Sequence, residues 1–280
     1  MSTSLPLPSL FLSHGSPMTA LEPREAGAFW GRLGPRLREA FGTPRAVLVL
    51  SAHTLARVPT LLAAPRHAAV HDFGGFDAAL FQMRYDAPGA PQLAADVARR
   101  LAAAGLPVQQ IDRGGLDHGI WVPLRFVFPQ ADVPVLPLAF SPHASPAELM
   151  ALGQALAPLR QEGVLILGSG SLTHNLGWVF QPGPGGRPPS VDAAERPECR
   201  AFRDWVHRHA ADGDVDALRD WAARAPHARD MHPTAEHWLP WYPALGAGGP
   251  HGVRLHDSVT FGCLAMDAYA FGDGAAVLRD

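Results

Sequence analysis

Apolar runs of strand length recur along the chain, at 10–12, 46–51, 108–111, 133–139, 164–167 and roughly 253–261. Between them the apolar positions take helical spacing, as in PQLAADVARRLAAAG (91–105) and SPAELMALGQALAPLR (145–160). The first of these closes on Gly105, a residue suited to end a helix, and carries Arg99 and Arg100 in its last turn, where cations suit the negative helix end. Strands that alternate with helices in this way predict an α/β fold with a buried sheet. The expectation is one three-layer domain over 1–280, its central, largely parallel or mixed sheet flanked by helices. QPGPGGRPPS (181–190) reads as a loop, and the Arg-, Trp- and Ala-rich region that follows, to about 225, as a helical excursion from that domain.

The polar residues that end the apolar runs add chemistry to this picture. His14 follows SLFLS, His53 follows AVLVLSA, and His174 follows VLILGSGSLT. Three histidines thus stand just past the carboxyl ends of three strands. At that edge of an open α/β sheet, loops and helix N-termini converge and ligands bind. Neutral imidazole is also the commonest side-chain metal ligand. One loop histidine carries little weight, whereas three at equivalent positions predict a site. The segment MHPTAEHWLPWYPALGA (231–247) adds His232 and His237, with Pro233 and Thr234 suited to start a helix. Spacing alone does not choose between those two. His118 lies in GGLDHGIWVPL, in a glycine-flanked turn, with Asp117 beside it as a candidate to orient an imidazole.

Composition narrows the function classes. The 280 residues have a net charge of −3 without a long run of either sign, which argues against a dedicated nucleic-acid binder. A hydrophobic fraction of 47% gives ample core. No stretch approaches the roughly 18 apolar residues of a membrane span, and the N-terminus lacks a secretory pattern, so a cytoplasmic location is expected. Cys199 and Cys263 are far apart and outside any CxxC spacing, and are expected to be buried thiols. All 23 basic residues are arginine. Without lysine the chain has no Schiff-base, Walker-A or Ser–Lys chemistry. DGDVD (212–216) opens like a calcium loop, but Ala217 and Ala223 stand where that loop needs glycine and glutamate, so it reads as a helix start. GSGS (168–171) is a weak anion-cradle signal, and Ser16, Ser169 and Ser171 sit in no GxSxG elbow. His207 and His209 are expected to face solvent.

The fragments SHGSPM, SAHT, HDFGGFDAALFQMRYDAPGAP, GLDHGIWVPL, GSGSLTHNL and HPTAEHWLPWYPALGA occur in this order. Together they resemble the DOPA 4,5-dioxygenase-like branch of the class III extradiol ring-cleavage dioxygenases, the superfamily named after the protocatechuate dioxygenase β-subunit. The resemblance runs from about residue 9 to 262. It implies a single α/β domain with one metal held by His14, His53 and His237. His174 would be a fourth ligand or the acid–base group, His118 a pocket histidine that contacts substrate, and His232 a supporting or helix-capping residue. The implied substrates are O2 and a catechol such as DOPA or a related catecholic acid. Thr54 stands where many relatives have tryptophan, and Asp77 and Asp86 replace prolines, departures that bear on the substrate.

Extradiol cleavage needs a metal with at least two open positions. Iron(II) can carry the electron, whereas zinc(II) has no accessible redox step. A neutral three-histidine set nevertheless suits zinc, which also binds more tightly than iron(II). Zn(2+) is therefore expected in the isolated protein and Fe(2+) during turnover, in a monomer or small homo-oligomer. The alternatives are a zinc-dependent hydrolase with a metal-activated water and a non-catalytic zinc or small-molecule binding protein on the same fold. Arg113 and Arg125 are candidates to hold a substrate carboxylate, against their plainer reading as surface residues.

Overall fold

The computed structural model describes residues 5–180 and 186–279. Its strands are β1 (Ser9–Ser13), β2 (Ala46–Ser51), β3 (Thr60–Leu62), β4 (Arg66–His67), β5 (Ala87–Pro88) and β6 (Gln109–Ile111). They continue with β7 (Val135–Ala139), β8 (Val164–Gly170), β9 (Gly252–His256), β10 (Val259–Thr260), β11 (Leu264–Ala265) and β12 (Ala268–Phe271). Eight of them form one sheet in the order β6-β3-β7-β2-β8-β1-β12-β9. Its centre, β7-β2-β8-β1, is parallel. β12 and β9 extend one side antiparallel, and β3 meets β7 antiparallel on the other. The sheet is thus mixed, with a parallel heart.

The helices are α1 (Arg24–Phe41), α2 (Pro91–Ala103), α3 (His118–Val127), α4 (Pro146–Leu156), α5 (Leu176–Phe180) and α6 (Pro197–Asp212). The short α7 (Val215–Arg219), α8 (Trp221–Arg224) and α9 (Ala228–Met231) lead to α10 (Trp241–Gly248). β2 shows why the apolar runs are continuous. Val47 and Val49 cluster with Phe29 and Trp30 of α1 and with Ile120 and Trp121 of α3. Leu48 and Leu50 cluster with Val97 of α2, Leu152 of α4 and Trp241 of α10. Side chains alternate between the faces of a strand, so a strand covered on both faces is apolar at every position.

Helix ends follow local chemistry. Gly105 takes φ +74° just past the cap residue Ala104, which stops α2 as expected. The 145–160 pattern is helical only to Leu156 and continues as 3-10 turns over Ala157–Glu162. Pro158 cannot donate the bond to the Gln154 carbonyl that would prolong α4.

The run at 253–261 is not one strand. It breaks after His256, and β10 folds back on β11 across Phe261 and Gly262, whose φ values are +54° and +68°. Two positive φ values in succession define a tight hairpin turn. β3 and β12 carry no sequence signal of their own, because three or four residues are too few to show a period. Of the Pro/Gly loop, 181–185 lies outside the described residues, and 186–190 has no regular structure. Cys199 and Cys263 are buried free thiols. Among the described residues, no helix is long and apolar enough to cross a membrane.

Candidate metal centre

β2, β8 and β1 lie side by side and parallel, so their carboxyl ends share one edge. His14 follows β1 directly, and its N–H donates to the Gly170 carbonyl at 2.9 Å. Gly15 then takes φ +66°, a conformation L side chains rarely adopt, and turns the chain out of the sheet. His53 lies two residues past β2, its N–H donating to Ser51 Oγ at 3.3 Å. His174 lies four residues past β8, its N–H donating to the Met231 carbonyl at 2.8 Å.

His237 arrives differently from its expected place on a helix. Residues 233–240 form turns, and α10 starts only at Trp241. Pro240 has no N–H, and in a continuous helix its ring would clash with the Glu236 carbonyl. The His237 carbonyl instead accepts from the Ser171 N–H at 2.9 Å. The glycines of GSGS permit that approach. A Cβ on Gly170 would stand 2.1 Å from the His237 carbonyl oxygen, and one on Gly168 2.0 Å from that of Pro240. What the motif accommodates is a backbone segment.

The imidazoles meet through their Nε2 atoms. His14 Nε2 is 3.1 Å from His53 Nε2, which is 3.2 Å from His237 Nε2. The three ring planes cross at 55°, 55° and 79°, so their in-plane lone pairs can converge. The outer nitrogens decide the tautomers of His14 and His237. Ser169 Oγ donates to the Gly119 carbonyl, so it accepts from His14 Nδ1 at 3.1 Å. His237 Nδ1 donates to Glu236 Oε1 at 3.1 Å, and His53 Nδ1 faces Asp72 Oδ2 at 3.7 Å. With His53 in the same Nδ1–H form, three bare Nε2 atoms face one another. None can hydrogen-bond another, whereas one cation satisfies all three. Metal–nitrogen bonds of about 2.0–2.1 Å give this spacing at angles of about 100°. The donor set fits a metal.

Burial pushes His14 well below the usual histidine value and takes His53 to about 4 and His237 to about 3. All three are neutral at pH 7, the form that ligates. The sign for stability follows from linkage. Below the ordinary histidine value of 6.5 the unfolded chain binds more protons than the folded one, so stability falls with pH toward about 4. In chelator-treated protein the melting temperature is expected to fall from pH 7 to pH 5. His53→Gln is expected to flatten that fall, and an unchanged slope in the variant would count against this origin.

Two further imidazoles border the triad. His174 stacks face to face on His237, with centroids 3.5 Å apart and planes 7° from parallel, and burial lowers it to about 4. His118 opens α3, and its Nδ1 lies 3.0 Å from both oxygens of Asp72. Burial alone would raise the Asp72 carboxyl, but the hydrogen bonds and charge of His118 bring it below its ordinary value. By distance alone, His14, His53 and His118 form one possible ligand group, and His174, Glu236 and His237 another. The shorter Nε2 contacts at 3.1 and 3.2 Å join members of both around one point.

Several expectations are corrected. Asp117 orients no imidazole. Its carboxylate accepts from Ser51 Oγ and from Thr54 Oγ1, which fastens the β2 exit to the start of α3. Neighbouring side chains diverge here, and the carboxylate on His118 belongs to Asp72. His209 is half-buried rather than solvent-facing, packed on Trp205 and bonded to Asp214 at 2.9 Å, because the turn into α7 folds over it. His207 is half-buried as well. His232 supports the site from behind, where its Nε2 donates to the Leu172 carbonyl at 2.9 Å among Phe202, Trp221 and Trp238. Asp214 caps α7, in keeping with a helix start at DGDVD. Arg113 and Arg125 are exposed, and Arg125 donates to the Arg84 carbonyl. The roles of Asp72, Glu236 and Ser169 as imidazole partners escaped the sequence reading. Their sole signal was adjacency to motif residues, which does not say which imidazole each one faces.

Three histidines gathered at the carboxyl edge of the parallel strands of an α/β domain form a candidate metal centre. Residues 8–272 match the family model described as the catalytic LigB subunit of aromatic ring-opening dioxygenase. A 4,5-DOPA dioxygenase extradiol of Beta vulgaris is 36% identical over 267 residues, which cover 94% of this chain and 96% of the relative. A protein of the same description from Escherichia coli K12 is 34% identical over 275 residues, covering 96% of both chains. The crystal structure of an uncharacterized Escherichia coli K12 protein has a TM-score of 0.76 at 29% identity, covering 95% of this chain and 100% of that one. The chain belongs to the LigB family and is a class III extradiol ring-opening dioxygenase.

Proposed function

We propose that this dioxygenase opens the ring of a catechol, DOPA or a related catecholic acid, at a metal held by His14, His53 and His237. The observation that carries the ligand assignment is the convergence of three Nε2 atoms at spacings of 3.1 and 3.2 Å. Iron(II), when bound, supplies the redox step that couples the ring to O2, and zinc(II) is the ion expected in the isolated protein. Relatives named for 4,5-DOPA make DOPA the first substrate to try.

His174 serves as the acid–base residue. Its ring lies parallel to His237 at 3.5 Å, outside the Nε2 contacts that join His14, His53 and His237. Burial keeps it neutral at pH 7, free to take a catechol hydroxyl proton on a ring nitrogen. The same nitrogen would return that proton to a product oxygen once the ring has opened. His118, with Nδ1 committed to Asp72, presents Nε2 to a substrate oxygen.

His174→Ala is expected to keep most of its metal while kcat falls about 10²–10⁴-fold, the usual range for an acid–base residue. Metal analysis by mass spectrometry and oxygen uptake check the two halves, and normal turnover would remove His174 from the role. The function itself is tested by loading iron anaerobically and offering DOPA, caffeate, protocatechuate and catechol. Oxygen uptake with a yellow ring-opened product is expected. Turnover of an ester without oxygen would instead support a hydrolase.

A further inference from the structure

The carboxylate of Asp72 makes more contacts to the site than any other acid near it. Its Oδ1 accepts from both the backbone N–H of His118, at 2.9 Å, and His118 Nδ1, at 3.0 Å. Its Oδ2 lies 3.0 Å from the same Nδ1 and 3.7 Å from His53 Nδ1. One side chain therefore grips a ring and its backbone at the start of α3 and faces a second ring as well. The segment that carries Asp72 is itself fastened. The Val70 N–H donates to the Leu116 carbonyl at 2.7 Å, and the Val70 carbonyl accepts from Trp121 Nε1 at 3.1 Å. On the other side Phe73 packs edge-on against His118 at 5.8 Å. Asp117, the nearer carboxylate in sequence, is turned to Ser51 and Thr54 instead.

We propose that Asp72 is a positioning residue for ring cleavage, fixing His118 with its proton on Nδ1 and its Nε2 free for substrate, and setting its distance from His53. The proposal rests on the reading above for the role of His118. A carboxylate that hydrogen-bonds one imidazole nitrogen dictates the tautomer and aim of the other. The His53 and His118 ring centroids are 4.1 Å apart, so a rotation of either ring would disturb the other.

Two substitutions separate geometry from charge. Asp72→Asn retains an oxygen in the Oδ1 position, which alone accepts both bonds from His118. Asp72→Ala removes it. With the best catechol of the wild type, kcat/KM of D72A is expected to fall about 10–100-fold, the scale of losing an outer partner of a metal site. Bound metal is expected to stay within about twofold, and D72N within about fivefold of wild-type kcat/KM. Unchanged kcat/KM in D72A, or equal losses in both variants, overturns the proposal. A second readout needs no turnover. In metal-free protein, ¹⁵N NMR with His118→Gln for assignment is expected to show Nδ1–H for His118 in wild type and D72N, and Nε2–H in D72A. An Nε2–H tautomer in wild type also overturns it. If the iron-loaded wild type cleaves no catechol, the proposed function fails, while the NMR result still decides the role of Asp72.

Discussion

His53→Ala is expected to leave the protein unable to hold its metal and to abolish ring cleavage. His53 is the middle of the triad, since its Nε2 lies 3.1 Å from that of His14 and 3.2 Å from that of His237. Without it, two neutral nitrogens remain, and the cation loses the donor that links the other two. Loss of an outer partner costs a metal site about 10–100-fold in affinity, so loss of a ligand is expected to exceed about a hundredfold. The fold itself should survive, because the His53 side chain is 25% exposed at a loop and fills no core position. Dialysis against zinc or iron followed by metal analysis, with a thermal melt of the metal-free variant, tests the pair of statements. Activity then follows the metal, and oxygen uptake is expected to fall below detection. A His53→Ala variant with wild-type metal affinity would move the centre toward His174, Glu236 and His237.

The three strands that build this edge were legible for a physical reason. β1, β2 and β8 are buried on both faces, so each reads as an unbroken apolar run. A polar residue just past such a run has to emerge at the sheet edge, which made His14, His53 and His174 visible. His237 was less so. It competes with His232 five residues earlier, and the choice depends on the turns before Pro240 and on Ser171 capturing the His237 carbonyl. Neither is written in the local pattern. Asp72 was not legible, since it meets His118 from 46 positions away. Pairing at that range is fixed by how the loop before α3 packs, which no period in the sequence encodes. The hairpin at Phe261 and Gly262 was hidden for the opposite reason, because a local turn interrupts a stretch that reads as one strand.

The second large effect lies beside the site, in a buried charge cluster. Arg203 on α6 donates from Nε to Asp267 Oδ2 at 2.8 Å and from Nη1 to Glu195 Oε1 at 2.6 Å. Asp267 is fully buried, and burial pushes its carboxyl up to about 6 despite the nearby guanidinium. The two carboxylates in turn hold Arg203 above its ordinary value against the effect of burial. The Asp267 carbonyl accepts from the Ser13 N–H at 3.1 Å, one residue before His14, so the cluster also supports the β1 exit. Arg203→Ala leaves Asp267, among the described residues, with Arg254 as its one ion-pair partner, at 3.7 Å. Breaking a buried pair by removing one partner costs about 3–5 kcal/mol, which for a chain of this size lowers the melting temperature by on the order of 10 °C. That cost comes from the stranded charge, so it is expected to shrink when the charge is removed too. The double variant Arg203→Ala/Asp267→Ala should be less destabilised than Arg203→Ala alone. The single variant should also lose less relative to wild type at pH 5 than at pH 8, because its orphaned carboxyl can take up a proton. Urea unfolding of the metal-free proteins at both pH values measures these differences. A cost below about 1 kcal/mol for Arg203→Ala would mean that the pair only offsets its own desolvation and contributes nothing net to the fold.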